Sequence, residues 1–150
     1  MRPNLRKTIV AGFAGTVVMT AMMYRVAPMM LGRPMDVAAS LGGMFGGSWA
    51  MGMLMHLING SIIFPLVFAY VLYRALPGEP WLKGMLWGLV LWFVSQAVVT
   101  PMMGGGIFSA RSGGVMAVIA SLMAHAVYGV LLGAVAGAPD GAARQVHAAR

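Results

Sequence analysis

The chain has 150 residues, of which 60% are hydrophobic and only 9% charged. Its mean hydropathy is +0.84, whereas a soluble domain is usually about a quarter charged, so a water-soluble globule is excluded and most of the surface faces lipid. The net charge of +7 comes from basic residues scattered over short connections with no basic stripe or run, which rejects nucleic-acid binding, and the absence of cysteine removes disulfides, thiolate metal sites and cysteine nucleophiles.

No charge lies between Lys7 and Arg25, Asp36 and Arg74, Lys83 and Arg111, or Arg111 and Asp140. Each interval holds a membrane span of roughly 17–25 residues. The first span is expected over about Thr8 to Met30. Arg2, Arg6 and Lys7 ahead of it resemble the start of a signal peptide, but the apolar run is too long and no small-x-small cleavage site follows, so an uncleaved helix is expected. Pro28 falls in its last turn, where a proline ends or kinks a helix.

The connection from Leu31 to Trp49 is no plain polar loop. Asp36 is a good N-cap for a short interfacial helix over Val37-Ala38-Ala39-Ser40-Leu41, which the glycines from Gly42 to Gly47 break. An Arg33–Asp36 pair is expected to fold this loop. The second span is expected from about Ala50 to Tyr73, the third from about Leu82 to Met103, and the fourth from about Gly114 to Gly137. Residues 138–150 read as an Ala-rich flexible tail. The fold class is therefore an all-α four-helix transmembrane bundle.

Four spans put both termini on one side. The N-terminus (Arg2, Arg6, Lys7), the 2–3 loop (Arg74, Lys83) and the tail (Arg144, Arg150) outweigh Arg25, Arg33 and Arg111 opposite, so the positive-inside rule places both termini in the cytoplasm. Trp49 and Trp81 fall at span edges, where indole rings prefer the headgroups.

The spans repeat. Pro28-Met29-Met30 and Pro101-Met102-Met103 lie 73 residues apart (101 − 28), as do Gly15 and Gly88. His56/Gly60 and His125/Gly129 share His-x-x-x-Gly at an offset of 69 (125 − 56). The order of these matches predicts a duplicated hairpin, two parallel repeats related by an axis along the membrane normal. Gly84 and Gly88, and Gly129 and Gly133, put small residues on single helix faces for close packing. His56, Asn59 and Gly60, and likewise Ser121, His125, Tyr128 and Gly129, form inward-facing polar stripes by their spacing.

His56 and His125 are the ionisable side chains inside the spans, and an intramembrane ionisable group is a functional-site candidate by default. Three readings of the pair stay open. Each imidazole makes an interhelical hydrogen bond, with Ser95, Gln96, Ser121 or Asn59 as partners. Alternatively the two are axial ligands of one haem b between the second and fourth helices, with Gly60 and Gly129 leaving room for the macrocycle and Arg25, Arg33 or Arg111 for the propionates. In the third reading they contact a ligand or handle protons in a small cavity. The doublets Met22-Met23, Met29-Met30 and Met102-Met103 invite a Cu(I) reading, but adjacent helical residues point about 100° apart and methionine is a common core filler. The carboxylates Asp36, Glu79 and Asp140 all fall in loops or the tail, so paired-carboxylate and serine-triad chemistry lack parts. Gly104-Gly105-Gly106 has no following Lys-Ser/Thr and reads as a turn rather than a phosphate loop.

Gly32-Arg33-Pro34-Met35-Asp36-Val37-Ala38-Ala39, followed by Met55-His56-Leu57-Ile58-Asn59-Gly60 and Phe68-Ala69-Tyr70, resembles a family of small bacterial four-helix integral membrane proteins known only as a domain of unknown function. The resemblance covers the first hairpin directly and the second through the repeat. It implies the class and no activity. The expectation is a non-enzymatic protein of the bacterial inner membrane, an accessory or scaffold component packing in the lipid bilayer against itself or a larger membrane complex. The alternatives are a haem-binding electron-transfer subunit and an oligomeric small-molecule or proton pathway.

Overall fold

A computed structural model describes residues 3–138; Arg2 and residues 139–150 of the expected tail, with Asp140, Arg144 and Arg150, lie outside the described residues. Among the described residues four helices are long and apolar enough to cross a membrane: α1 (Leu5–Leu31), α3 (Trp49–Leu72), α4 (Pro80–Met102) and α5 (Gly114–Ala136). A short helix, α2 (Val37–Gly43), lies in the 1–2 connection. Only 28 to 33% of each span's most apolar stretch is buried, and Val10, Phe13, Val90 and Phe93 are among the large side chains left outside. Such a surface is stable in lipid and not in water.

Local chemistry sets the helix ends. α1 starts earlier than expected because the Asn4 side chain caps it, accepting from the Lys7 N–H. The Ser48 hydroxyl caps α3 at Met51, and Pro80 opens α4, a first-turn position where its missing N–H costs nothing.

Pro28 does not end α1. The helix continues past it because the turn just before, Met22–Val26, widens to a π-helical turn, which relieves the clash between a proline ring and the preceding turn. The same arrangement recurs at Asn59–Ile63 before Pro65 and at Ser95–Val99 before Pro101. In these turns the Ala27 N–H reaches Met22 O and the Phe64 N–H reaches Asn59 O. The next carbonyl in each, Met23 or Gly60, would be served by the following residue, a proline without a hydrogen. Both find outside donors: the Met35 N–H bonds to Met23 O at 3.0 Å, and the Tyr128 hydroxyl bonds to Gly60 O at 2.7 Å. A membrane interior supplies no water for such a carbonyl, so each orphan ties a second segment to its helix.

Among the four spans, α4 and α5 pack backbone to backbone. A Cβ added to Gly84 would stand 2.1 Å from Gly129 O, one on Gly133 would stand 2.2 Å from Pro80 O, and one on Gly88 would stand 2.3 Å from His125 O. Between α1 and α3, a Cβ on Gly12 would meet Pro65 and one on Gly60 would meet Thr16, both at 2.2 Å. The Arg33 guanidinium donates to Ser112 O at 2.7 Å, so the 1–2 and 3–4 loops meet on one side. Lys7 donates to Ala138 O on the side shared by the chain start, the 2–3 loop and the end of α5.

Candidate functional site

One cavity of about 280 Å³ occupies the middle of the bundle and reaches the side where the 1–2 and 3–4 loops meet. His56, His125, Gln96 and Tyr128 line it at depth, Met19 and Leu91 form apolar wall, and Arg33, Asp36 and Ser112 lie toward the loops. The cavity is blind: Lys7, Tyr73, Lys83 and Gly133, toward the opposite side, take no part in its lining.

The two histidines share the cavity but have different partners. His56 Nε2 lies 3.0 Å from Thr20 Oγ1 on α1. His125 Nδ1 lies 2.8 Å from the Ser121 carbonyl, one turn earlier on its own helix. His56 makes the expected interhelical bond, though to Thr20, which was not among the expected partners, whereas the expected interhelical bond of His125 does not form, because Ser121 lies on its own helix. The missed signal was the i, i+4 row Thr8, Gly12, Thr16, Thr20 in the first span, which puts small and hydroxylated residues on one face.

A buried polar chain leads from the 3–4 loop to His125. The Ser109 hydroxyl donates to Gln96 Oε1 at 2.8 Å, and Gln96 Nε2 donates to Ser121 Oγ at 3.1 Å. Ser109 is 2% exposed although it belongs to a surface loop, because Phe108 and Ser109 adopt φ values of 48° and 56°. Left-handed backbone costs non-glycine residues of order 1 to 3 kcal/mol each and clusters at functional sites. Here it turns the serine inward onto Gln96.

Toward the loops, Asp36 organises the connection in a way the sequence did not reveal. The expected Arg33–Asp36 pair does not form, since Arg33 is spent on Ser112. Asp36 accepts instead from the Tyr24 hydroxyl, the Trp49 indole N–H at 3.1 Å and the Ala39 N–H at 2.9 Å. It thereby caps α2 and pins it to α1 and α3, where a Cβ on Gly52 would stand 2.0 Å from Ala38 O. Partial burial works against its charge, but the hydrogen bonds from Tyr24, Ala39 and Trp49 outweigh it and hold the carboxyl below its ordinary value of 3.8. Asp36→Ala should destabilise the protein by about 2 kcal/mol at neutral pH, read from thermal unfolding in detergent. A carboxyl with a lowered folded-state value contributes fully above 3.8 and loses that contribution as pH falls through the lower value. The gap between wild type and variant should therefore close only in strong acid; a gap already closing between neutrality and about pH 5 would contradict this role.

The supporting residues considered for the other readings are placed as follows. Gly129 leaves no room for a macrocycle, because the space its missing Cβ opens is taken by Gly84 O at 2.3 Å; the corresponding space at Gly60 is filled by Thr16. Of the three arginines considered for haem propionates, only Arg33 lines the cavity. The methionine doublets split, with Met29 and Met102 exposed by 84% and 64% while Met23 and Met103 line the cavity. Among the described residues no three His, Asp or Glu side chains converge on a point.

No curated protein and no solved structure matches the chain. A family model described as a family of unknown function, DUF6789, matches residues 3–146, and with nearly its whole length covered the chain belongs to that family.

Proposed function

We propose that the chain is a non-enzymatic membrane protein that binds one small, largely apolar molecule between its helices. The blind cavity of about 280 Å³ carries this reading. It lies just below the usual range of roughly 300–1,000 Å³ for small-molecule sites, and it shares their pattern of apolar wall with a few convergent polar groups. Blindness disfavours a through pathway. Catalytic parts are scarce: Asp36 is occupied by three donors, and Glu79 sits at the start of α4 on the opposite side. The haem alternative loses support because His56 Nε2 is engaged with Thr20. An accessory role fits, since a ligand carrier without catalytic groups serves a partner that uses the ligand.

The distribution of basic residues favours both termini on the cytoplasmic face, an orientation in which the cavity opens outward, and a bacterial inner membrane is proposed from the family resemblance alone. The two hairpins are read as copies, supported by π-helical turns that begin 73 residues apart (95 − 22). α5 lacks the π turns of α3, and this marks where the copies have diverged.

Native mass spectrometry after gentle extraction from membranes tests the binding reading. Wild type should carry a small-molecule adduct that Met23→Trp, which fills the cavity wall, does not. If wild type carries none and no apolar compound in a broad panel raises its melting temperature, the reading fails.

A further inference from the structure

The two imidazoles state what kind of ligand the cavity takes, given that it is a binding site as proposed above. A neutral imidazole has one N–H donor and one lone-pair nitrogen, and the partner of one nitrogen fixes the role of the other. Neither ring is hydrogen-bonded to a carboxylate, so both are treated as neutral. The Thr20 hydroxyl spends its hydrogen on Thr16 O at 2.7 Å, the back-bond typical of helical threonine. Its oxygen is therefore the acceptor toward His56, Nε2 carries the proton, and Nδ1 keeps the lone pair. At His125 the argument is shorter: Nδ1 faces a backbone carbonyl, which only accepts, so Nδ1 carries the proton and Nε2 keeps the lone pair.

The two rings are thus in opposite tautomers, set by two different helices. Each leaves an unprotonated acceptor nitrogen on a residue that lines the cavity. Two nearby donors are spent, the Tyr128 hydroxyl on Gly60 O and the Ser109 hydroxyl on Gln96, while Asn59 and Ser95 also line the cavity. Ser121 differs: its oxygen accepts from Gln96 and lies 3.4 Å from the protonated His125 Nδ1, so its own hydrogen is left for another acceptor. The cavity lining therefore carries two strong acceptors, together with hydroxyl or amide donors at Ser121, Asn59 and Ser95. A carbonyl or ether ligand would leave both lone pairs unpaired at a cost, whereas an alcohol or phenol both donates and accepts. We propose that the ligand is a hydroxyl-bearing apolar molecule whose O–H is taken by His56 Nδ1 or His125 Nε2, with Ser121 donating to its oxygen.

Matched probes test this. 1-Naphthol, its methyl ether, naphthalene and 1,4-naphthoquinone share an apolar body and differ in the hydroxyl, and their affinities for the detergent-solubilised protein are measured by calorimetric titration. The naphthol should bind about fivefold to tenfold more tightly than the ether or the quinone, the effect of one net hydrogen bond. The double variant His56→Leu/His125→Leu should abolish that preference, and at least one of the two single variants should reduce it. Thr20→Val, which removes the acceptor fixing the His56 tautomer, should shrink the preference and improve quinone binding. Equal binding of naphthol and ether by wild type overturns this inference alone, and that comparison does not depend on any variant folding. Binding of none of the four counts against the cavity as a binding site.

Discussion

Replacing Gly129 by valine will cost about 3 kcal/mol or more of stability, read as a lowered midpoint when the protein is unfolded by titrating SDS into mild-detergent micelles. The first added carbon would stand 2.3 Å from Gly84 O and 3.0 Å from Gly88 Cα. These obstacles are helix backbone, which has no rotamer by which to move aside, so α4 and α5 must separate along their whole contact. Overpacking of an ordinary core costs about 1–3 kcal/mol because side chains adjust, whereas the nearest atoms at this position are all backbone. In a bilayer, helices associate through close packing rather than the hydrophobic effect, so the lost contact has no substitute. Gly43→Ala is the matched control: no atom lies within 4 Å of the added carbon, and alanine favours helix over glycine by up to about 1 kcal/mol. Equal midpoints for wild type and Gly129→Val would show that the two helices are not held by their glycines.

Gln96→Leu should produce the second large effect, a loss of about 2 kcal/mol together with a local loosening far from the substitution in sequence. Two buried hydroxyls, Ser109 and Ser121, lose their partner at once. Single interhelical hydrogen bonds in membranes average only about 0.6 kcal/mol, so the bonds alone make a modest effect. The larger consequence is at Phe108 and Ser109, whose left-handed backbone is held in part by the bond to Gln96. Amide hydrogen exchange over residues 106–112 should accelerate, and exchange in the 2–3 loop should not. Unchanged exchange over residues 106–112 would mean that the turn holds its shape without Gln96.

The two substitutions mark the limits of what could be read from the sequence. Gly84, Gly88, Gly129 and Gly133 were recognisable as packing positions because a four-residue spacing has one geometric meaning on a helix. The four spans were legible for a similarly local reason, since charge-free apolar runs of sufficient length have few other solutions. Gln96 and Ser109 were not legible as a pair: their contact depends on a strained turn, and neither Phe108 nor Ser109 advertises positive φ as a glycine would. Asp36 was legible as a cap through local spacing, but its bonds to Tyr24 and Trp49 depend on how α2 folds back. His56 and His125 stood out as expensive residues for lipid, yet their tautomers became readable only once Thr20 and Ser121 were in place. The prolines were half legible, because a kink was expected at Pro28 while the π turn that lets α1 pass it has no sequence mark of its own.

That proline arrangement also constrains which sequences can share this fold. At position 35 the structure uses the main-chain N–H, given to Met23 O, so the bond itself tolerates any residue except proline. At position 128 it uses a phenol, given to Gly60 O, and no main-chain group can stand in for that hydroxyl. Among relatives that keep prolines at 28 and 65, variation should therefore be broad at 35 and narrow at 128. The difference would reflect whether the donor belongs to the backbone or to a side chain, more than how deeply either residue is buried.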